Sequence, residues 1–154
     1  MTDVQSFDHD SHMRRALELA REAQARGDDP FGSVLVRSDR IVMEASNAVA
    51  TAGDLRRHPE LDLATRAVQT FDAPTRADLV MYTSTEPCPM CAGGLRQARL
   101  GRVVYSVAMN ELRTDILGAD PLSATADTIL DGVTPVDGPV LNAEGRALLQ
   151  ATYG

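Results

Sequence analysis

Apolar residues recur at helical spacing over residues 11–26, SHMRRALELAREAQAR, where Met13, Leu17 and Ala20 fall on one face. Ser11 is the expected cap of this helix. Gly27, followed by Asp28-Asp29-Pro30, stops it. The period then shortens. Residues 32–37, GSVLVR, predict a buried strand, Ser38-Asp39-Arg40 a turn, and 41–46, IVMEAS, the returning strand. A helix is expected over 58–71, with Pro59 in its first turn and an apolar stripe of Leu63, Ala67 and Val68, joined one turn on by Phe71. Residues 78–83 predict a third strand, 89–98 a helix opening with Pro89, and 102–107 a fourth strand. Beyond Met109 the pattern weakens to a helix near 122–130, a short strand near 133–137 and a terminal helix over 142–151. Strands alternating with helices predict an α/β layered domain. The tight turn between the first two strands makes its sheet mixed. Residues 1–10 are expected as a flexible tail, and 11–154 as one domain.

Hydrophobic residues make up 44% of the chain and charged residues 24%, an ordinary balance for a globular domain. No run approaches the roughly 18 apolar residues of a membrane span. The polar, acidic start lacks the basic and apolar regions of a secretory signal. The expected location is the cytoplasm. Net charge is −7 and the isoelectric point about 4.8. Polyanion binders carry basic faces, so this balance weighs against nucleic acid and toward a small molecule. Arg14-Arg15, Arg56-Arg57 and the Arg96/Arg99 pair are the candidate basic patches, and each reads more simply as solvated surface.

The two cysteines, Cys88 and Cys91, are spaced for metal ligation or redox chemistry. They sit in Pro87-Cys88-Pro89-Met90-Cys91, at the start of one predicted helix. His58-Pro59-Glu60 opens another. One imidazole and two thiolates make three strong zinc ligands. The remaining histidines, His9 and His12, lie in or beside the tail. Three protein ligands leave a tetrahedral zinc open for water, the mark of a catalytic site. A helix N-terminus facing both sulfurs favours thiolate over thiol. Glu60 is then placed to take a proton from that water. A redox pair needs no H-x-E partner, and H-x-E alone occurs by chance. Their conjunction, with a strand between them, favours the catalytic zinc over a structural zinc or a redox pair.

H-x-E followed by P-C-x-x-C is a known signature of zinc deaminases acting on nucleobases. The stretch Thr85-Glu86-Pro87-Cys88-Pro89-Met90-Cys91-Ala92-Gly93 resembles the guanine deaminase and tRNA adenosine deaminase branch of the cytidine deaminase superfamily. So do Arg99-Leu100-Gly101-Arg102-Val103-Val104-Tyr105 and Pro30-Phe31-Gly32-Ser33-Val34-Leu35-Val36. The resemblance covers about residues 11 to 110. It implies a three-layer α/β/α sandwich with a central five-stranded mixed sheet. It also implies a homodimer, a zinc ion held by His58, Cys88 and Cys91, and Glu60 as proton shuttle. The chain departs from that branch at Pro59, where Ala is usual, and at Asp54-Leu55-Arg56-Arg57, and from its guanine deaminases at Arg96-Gln97, where they carry aromatics.

These departures keep the chemistry and open the substrate. Asn47 falls where the branch places a substrate-contacting asparagine. An amide suits a purine edge, and equally a loop cap. Phe31 is expected either on a ring face or in the core, Pro59 on the pocket floor, and Glu86 as loop support or substrate contact. Asp115 and Tyr153 lie in segments from which related enzymes reach across a dimer. The expectation is a hydrolytic deaminase acting on guanine or a related base, nucleoside or aminotriazine. A tRNA adenosine-to-inosine deaminase and a non-catalytic zinc module are the alternatives.

Overall fold

The computed structural model describes residues 6–154. Helix α1 (His9–Arg26) is followed by strands β1 (Gly32–Arg37) and β2 (Arg40–Ser46). Next come α2 (Val49–Ala52), α3 (Pro59–Thr70), α4 (Ala73–Arg76), β3 (Val80–Thr85), α5 (Pro89–Ala98) and β4 (Arg102–Val107). The remainder holds α6 (Met109–Glu111), a π-helical turn over Leu112–Ile116, α7 (Ala126–Ile129), β5 (Val136–Asp137) and α8 (Asn142–Tyr153). The five strands form one sheet in the order β2-β1-β3-β4-β5. β1 is antiparallel to both β2 and β3, whereas β3, β4 and β5 run parallel. The sheet is mixed, as the tight turn predicts. That turn places Ser38 and Asp39 at φ of 50° and 63°, the pair of left-handed residues that a two-residue hairpin requires.

Successive residues of β1, β3 and β4 point to opposite faces. Val34, Val36, Val80, Tyr82 and Val104 pack with Met13, Ala16, Leu17 and Ala20 of α1 and Leu148 of α8. Leu35, Met81 and Val103 pack on the other side with Leu63, Ala64 and Ala67 of α3, and Leu95 and Ala98 of α5. The result is a three-layer α/β/α sandwich around a five-stranded mixed sheet. Gly32 sets the approach of the first layer. A Cβ there would lie 2.4 Å from the Ala16 carbonyl oxygen and 2.6 Å from the Ala20 nitrogen.

Several expectations change. The cap of α1 is Asp8, whose carboxylate accepts the Ser11 N–H, so the helix starts two residues before the predicted one and Ser11 lies inside it. Residues 1–5 of the expected tail lie outside the described residues; Phe7 is buried. Val68 is half exposed, and Ala64 takes its place on the α3 stripe, because the 60, 63, 64, 67 positions share one face. β3 starts at Val80, since the N–H groups of Asp78 and Leu79 turn back to Thr75 and Arg76. It runs on through the polar Thr83-Ser84-Thr85, which apolar patterning ends too early. In the weakly patterned remainder, the helix shrinks to Ala126–Ile129 and the strand to Val136–Asp137.

Candidate active site

Two helix starts meet. His58 is the N-cap of α3 in extended conformation, with Pro59 at its first position. Cys88 is the N-cap of α5, with Pro89 following in the same way. Each proline occupies a position whose N–H has no intrahelical partner, so neither ring costs a hydrogen bond. The Cys88 Sγ lies 3.7 Å from His58 Nδ1 and 3.5 Å from Cys91 Sγ. All three donor atoms fall within 4.8 Å of one another, and no fourth such side chain joins them among the described residues. Bonds of about 2.3 Å to sulfur and about 2.0 Å to nitrogen put the ligand atoms of tetrahedral zinc roughly 3.5–3.8 Å apart. The donor set and its spacing fit zinc. The cysteines are unbonded to each other, and their separation is far longer than the roughly 2.05 Å of a disulfide.

The electrostatics favour a thiolate at Cys88. The Cys91 thiol donates to it, the N–H groups of Cys91 and Met90 point at it, and the His58 ring lies near. Against the opposing cost of burial, these hold Cys88 down to about 5. Cys91 is pushed up because its S–H donates a hydrogen bond to Cys88, and by its own burial. The predicted helix N-terminus therefore acts mainly on the first sulfur.

Glu60, the second residue of α3, is buried at 5% exposure. Burial pushes its carboxyl above the usual range. The Thr83 hydroxyl and its own backbone N–H pull it down, Cys88 pushes it up and His58 pulls it down. Its oxygen Oε1 accepts the Thr83 hydroxyl at 2.6 Å, and Thr83 Oγ1 accepts the Ser33 hydroxyl at 2.8 Å. Neither hydroxyl was singled out from sequence. Polar residues closing an otherwise apolar strand were the available signal.

Asn47 is buried, and its Oδ1 caps the Val49 N–H at 3.1 Å, the loop-capping role. Its Nδ2 makes no bond to the described residues. Its backbone N–H bonds the Phe31 carbonyl, so the two predicted contacts lie side by side. Asp28 secures this loop by accepting the N–H and hydroxyl of Thr51, while Arg26 bridges Asp28 to the Asn47 carbonyl. Phe31 packs against the cluster of Val107, Leu112 and Leu149, as do Met109 and Tyr153. Pro59 is buried beside the ligands. Glu86 is loop support: its two oxygens accept the N–H groups of Met109 and Ala126. Asp115 is exposed and paired with Arg146, and the Tyr153 hydroxyl donates to Asp29. Asp115 is not brought to the ligands of its own chain.

A three-layer sandwich with His, Cys and Cys donors at two helix starts defines the cytidine deaminase-like class. The chain belongs to the MafB19-like deaminase family, whose model matches residues 7–118. It is 37% identical over 101 residues to a guanine deaminase of Bacillus subtilis, covering 65% of each chain. It is 32% identical over 117 residues to a tRNA-specific adenosine deaminase of Haemophilus influenzae, covering 75% of this chain and 66% of that one. The matched segment thus spans just under two-thirds of each relative's length. A solved guanine deaminase from Nitrosomonas europaea shares the fold, with a TM-score of 0.78, 20% identity, and coverage of 98% of this chain and 85% of that one. No helix among the described residues is long and apolar enough to cross a membrane.

Proposed function

We propose that the chain is a zinc-dependent hydrolase that removes the exocyclic amine of a nucleobase-like ring as ammonia. His58, Cys88 and Cys91 would hold the zinc. Bound there, zinc makes water acidic enough to attack near neutral pH. Glu60 takes a proton from the attacking water, carries it to a ring nitrogen and delivers a proton to the departing amine. Burial raises its carboxyl, which suits a group that must both accept and give a proton near neutral pH. Asn47 presents its free Nδ2 to an acceptor on the ring, while its Oδ1 is held by Val49. The observation that carries this reading is one imidazole and two thiols gathered within 4.8 Å of one another beside a buried carboxylate.

Guanine is the first substrate to test, because a guanine deaminase is among the relatives. A second reading, adenosine in a tRNA anticodon loop, is favoured by the tRNA-specific relative. The net charge of −7 opposes it, since phosphate contacts dominate RNA affinity. The deciding experiment measures ammonia release by the zinc-loaded protein from purines, pyrimidines, their nucleosides, aminotriazines and an anticodon stem-loop. Turnover of a free base supports the leading reading. Turnover of the stem-loop alone moves the chain to the second. Silence across the panel with zinc bound leaves a non-catalytic zinc module.

A further inference from the structure

Three buried side chains from three elements form a hydrogen-bonded row beneath the candidate centre. Ser33 of β1 stands directly opposite Thr83 of β3 in the sheet register. Both are completely buried. Glu60 of α3 lies over them. The Ser33 hydroxyl reaches Thr83 Oγ1 at 2.8 Å, and Thr83 Oγ1 reaches Glu60 Oε1 at 2.6 Å.

Proton bookkeeping sets the direction of the row. Each hydroxyl has one hydrogen. Ser33 gives its hydrogen to Thr83, so Thr83 must pass its own onward. Two acceptors compete for it: Glu60 Oε1 at 2.6 Å and the Thr85 carbonyl at 3.2 Å. The shorter contact, to a carboxylate, is the stronger one. Oε1 is therefore occupied as an acceptor whether or not the carboxyl carries a proton. The proton that the group takes and gives must reside on the other oxygen, Oε2.

We propose that Thr83, backed by Ser33, is a positioning residue that locks the Glu60 carboxylate through Oε1 and reserves Oε2 for proton transfer. The proposal rests on the reading of Glu60 as the proton carrier. A glutamate has three side-chain torsions, and a proton carrier must meet its target at hydrogen-bond distance. Burial confines the carboxylate without orienting it. The hydroxyl row supplies the orientation from the rigid centre of the sheet rather than from a loop. A purely structural role for the same row would stabilise the sheet and leave turnover untouched.

The experiment uses the full-length zinc-loaded protein and the variants Thr83→Val, Thr83→Ser, Ser33→Ala and the Ser33→Ala/Thr83→Val double. Zinc content, melting temperature, steady-state ammonia release and crystal structures of wild type and Thr83→Val are measured. Thr83→Val is expected to keep its zinc and its KM while kcat falls about 10- to 100-fold, the cost of a misplaced catalytic group. Thr83→Ser, which keeps the hydroxyl, is expected to restore kcat to within about threefold of wild type. Ser33→Ala is expected to slow wild type and to add nothing on top of Thr83→Val, because the two act as one unit. The crystal structures are expected to show one carboxylate orientation in wild type and a turned or divided one in Thr83→Val.

A zinc-bound Thr83→Val with kcat within about twofold of wild type overturns the proposal, and so does a Thr83→Ser as slow as Thr83→Val. If wild type releases no ammonia from any ring, the deaminase reading fails on its own. The crystallographic arm then decides: a reoriented Glu60 carboxylate supports the positioning role, and an unchanged one overturns it.

Discussion

Neighbouring residues of β3 send polar side chains to opposite faces of the sheet, with different consequences. Thr83 faces α3 and α5, where its hydroxyl ends on Glu60 beside three metal-type donors. Tyr82 faces α1, where its hydroxyl meets His9 Nδ1 at 2.6 Å and its ring lies 5.1 Å from that of His12. His12 in turn bonds Asp39 at 2.7 Å, and Asp39 also accepts the Asp8 N–H. Those two contacts, the His12 bond foremost, hold the Asp39 carboxyl below the usual range. Both clusters bury titratable groups, and both bridge a helix to the sheet. The α1 cluster ties the hairpin to the helix start, while His12 Nδ1 has no partner among the described residues. The α3–α5 cluster ends in a carboxylate held by Thr83 through one oxygen and in three donors that no fourth such side chain joins among the described residues. Buried polarity alone therefore does not mark a site. A convergent set of metal-type donors does.

The largest expected effect lies on the α3–α5 side. Glu60→Gln should keep its zinc and lose about 10²- to 10⁴-fold in kcat, read by steady-state ammonia release. The same change should raise the melting temperature of the metal-stripped protein at neutral pH. The sign follows from the raised carboxyl. Between its ordinary and its raised value the folded state binds more protons than the unfolded state, so wild-type stability falls as pH rises through that window. The gap between variant and wild type should close below about pH 4, where the carboxyl is protonated in both states. A metal-free Glu60→Gln that melts below wild type at neutral pH would contradict this.

On the α1 side, changes should cost stability and spare the chemistry. Gly32→Ala drives a methyl into the α1 backbone, and overpacking of this kind costs about 1–3 kcal/mol, measured by denaturant unfolding. The smallest effect is that of Tyr82→Phe, which removes one hydrogen bond to His9 and should cost about 1 kcal/mol. Its kcat should match wild type. A Tyr82→Phe that folds, binds zinc and turns over tenfold more slowly would erase the distinction between the two faces.

The parts legible in the sequence were those with strong local signals. His58-Pro59-Glu60 and Pro87-Cys88-Pro89-Met90-Cys91 each combine a proline that starts a helix with the donor it presents, and the structure brings His58, Cys88 and Cys91 together. The strands over 32–37 and 102–107, alternating with helices such as the one striped by Met13, Leu17 and Ala20, made the α/β layering legible. The Ser33–Thr83 contact was invisible because it depends on which strands pair, and in what register. The cap at Asp8 was missed because Ser11 offers the same chemistry three residues later. The region after Met109 was poorly legible because its elements are short and held by side chains from elsewhere, such as the Asn110 carboxamide that bonds Leu122 through both its donor and its acceptor.

Glu86 has a consequence of its own. It stands two residues before Cys88, inside the span shared with the family, yet one of its oxygens holds the backbone of Ala126, beyond residue 118 where that shared span stops. A stretch outside the family match is thus moored to the strand-to-helix junction that carries the sulfurs. Substitutions around residues 119–130 would therefore reach the proposed metal ligands through Glu86 without altering any of them, a remote handle on the site.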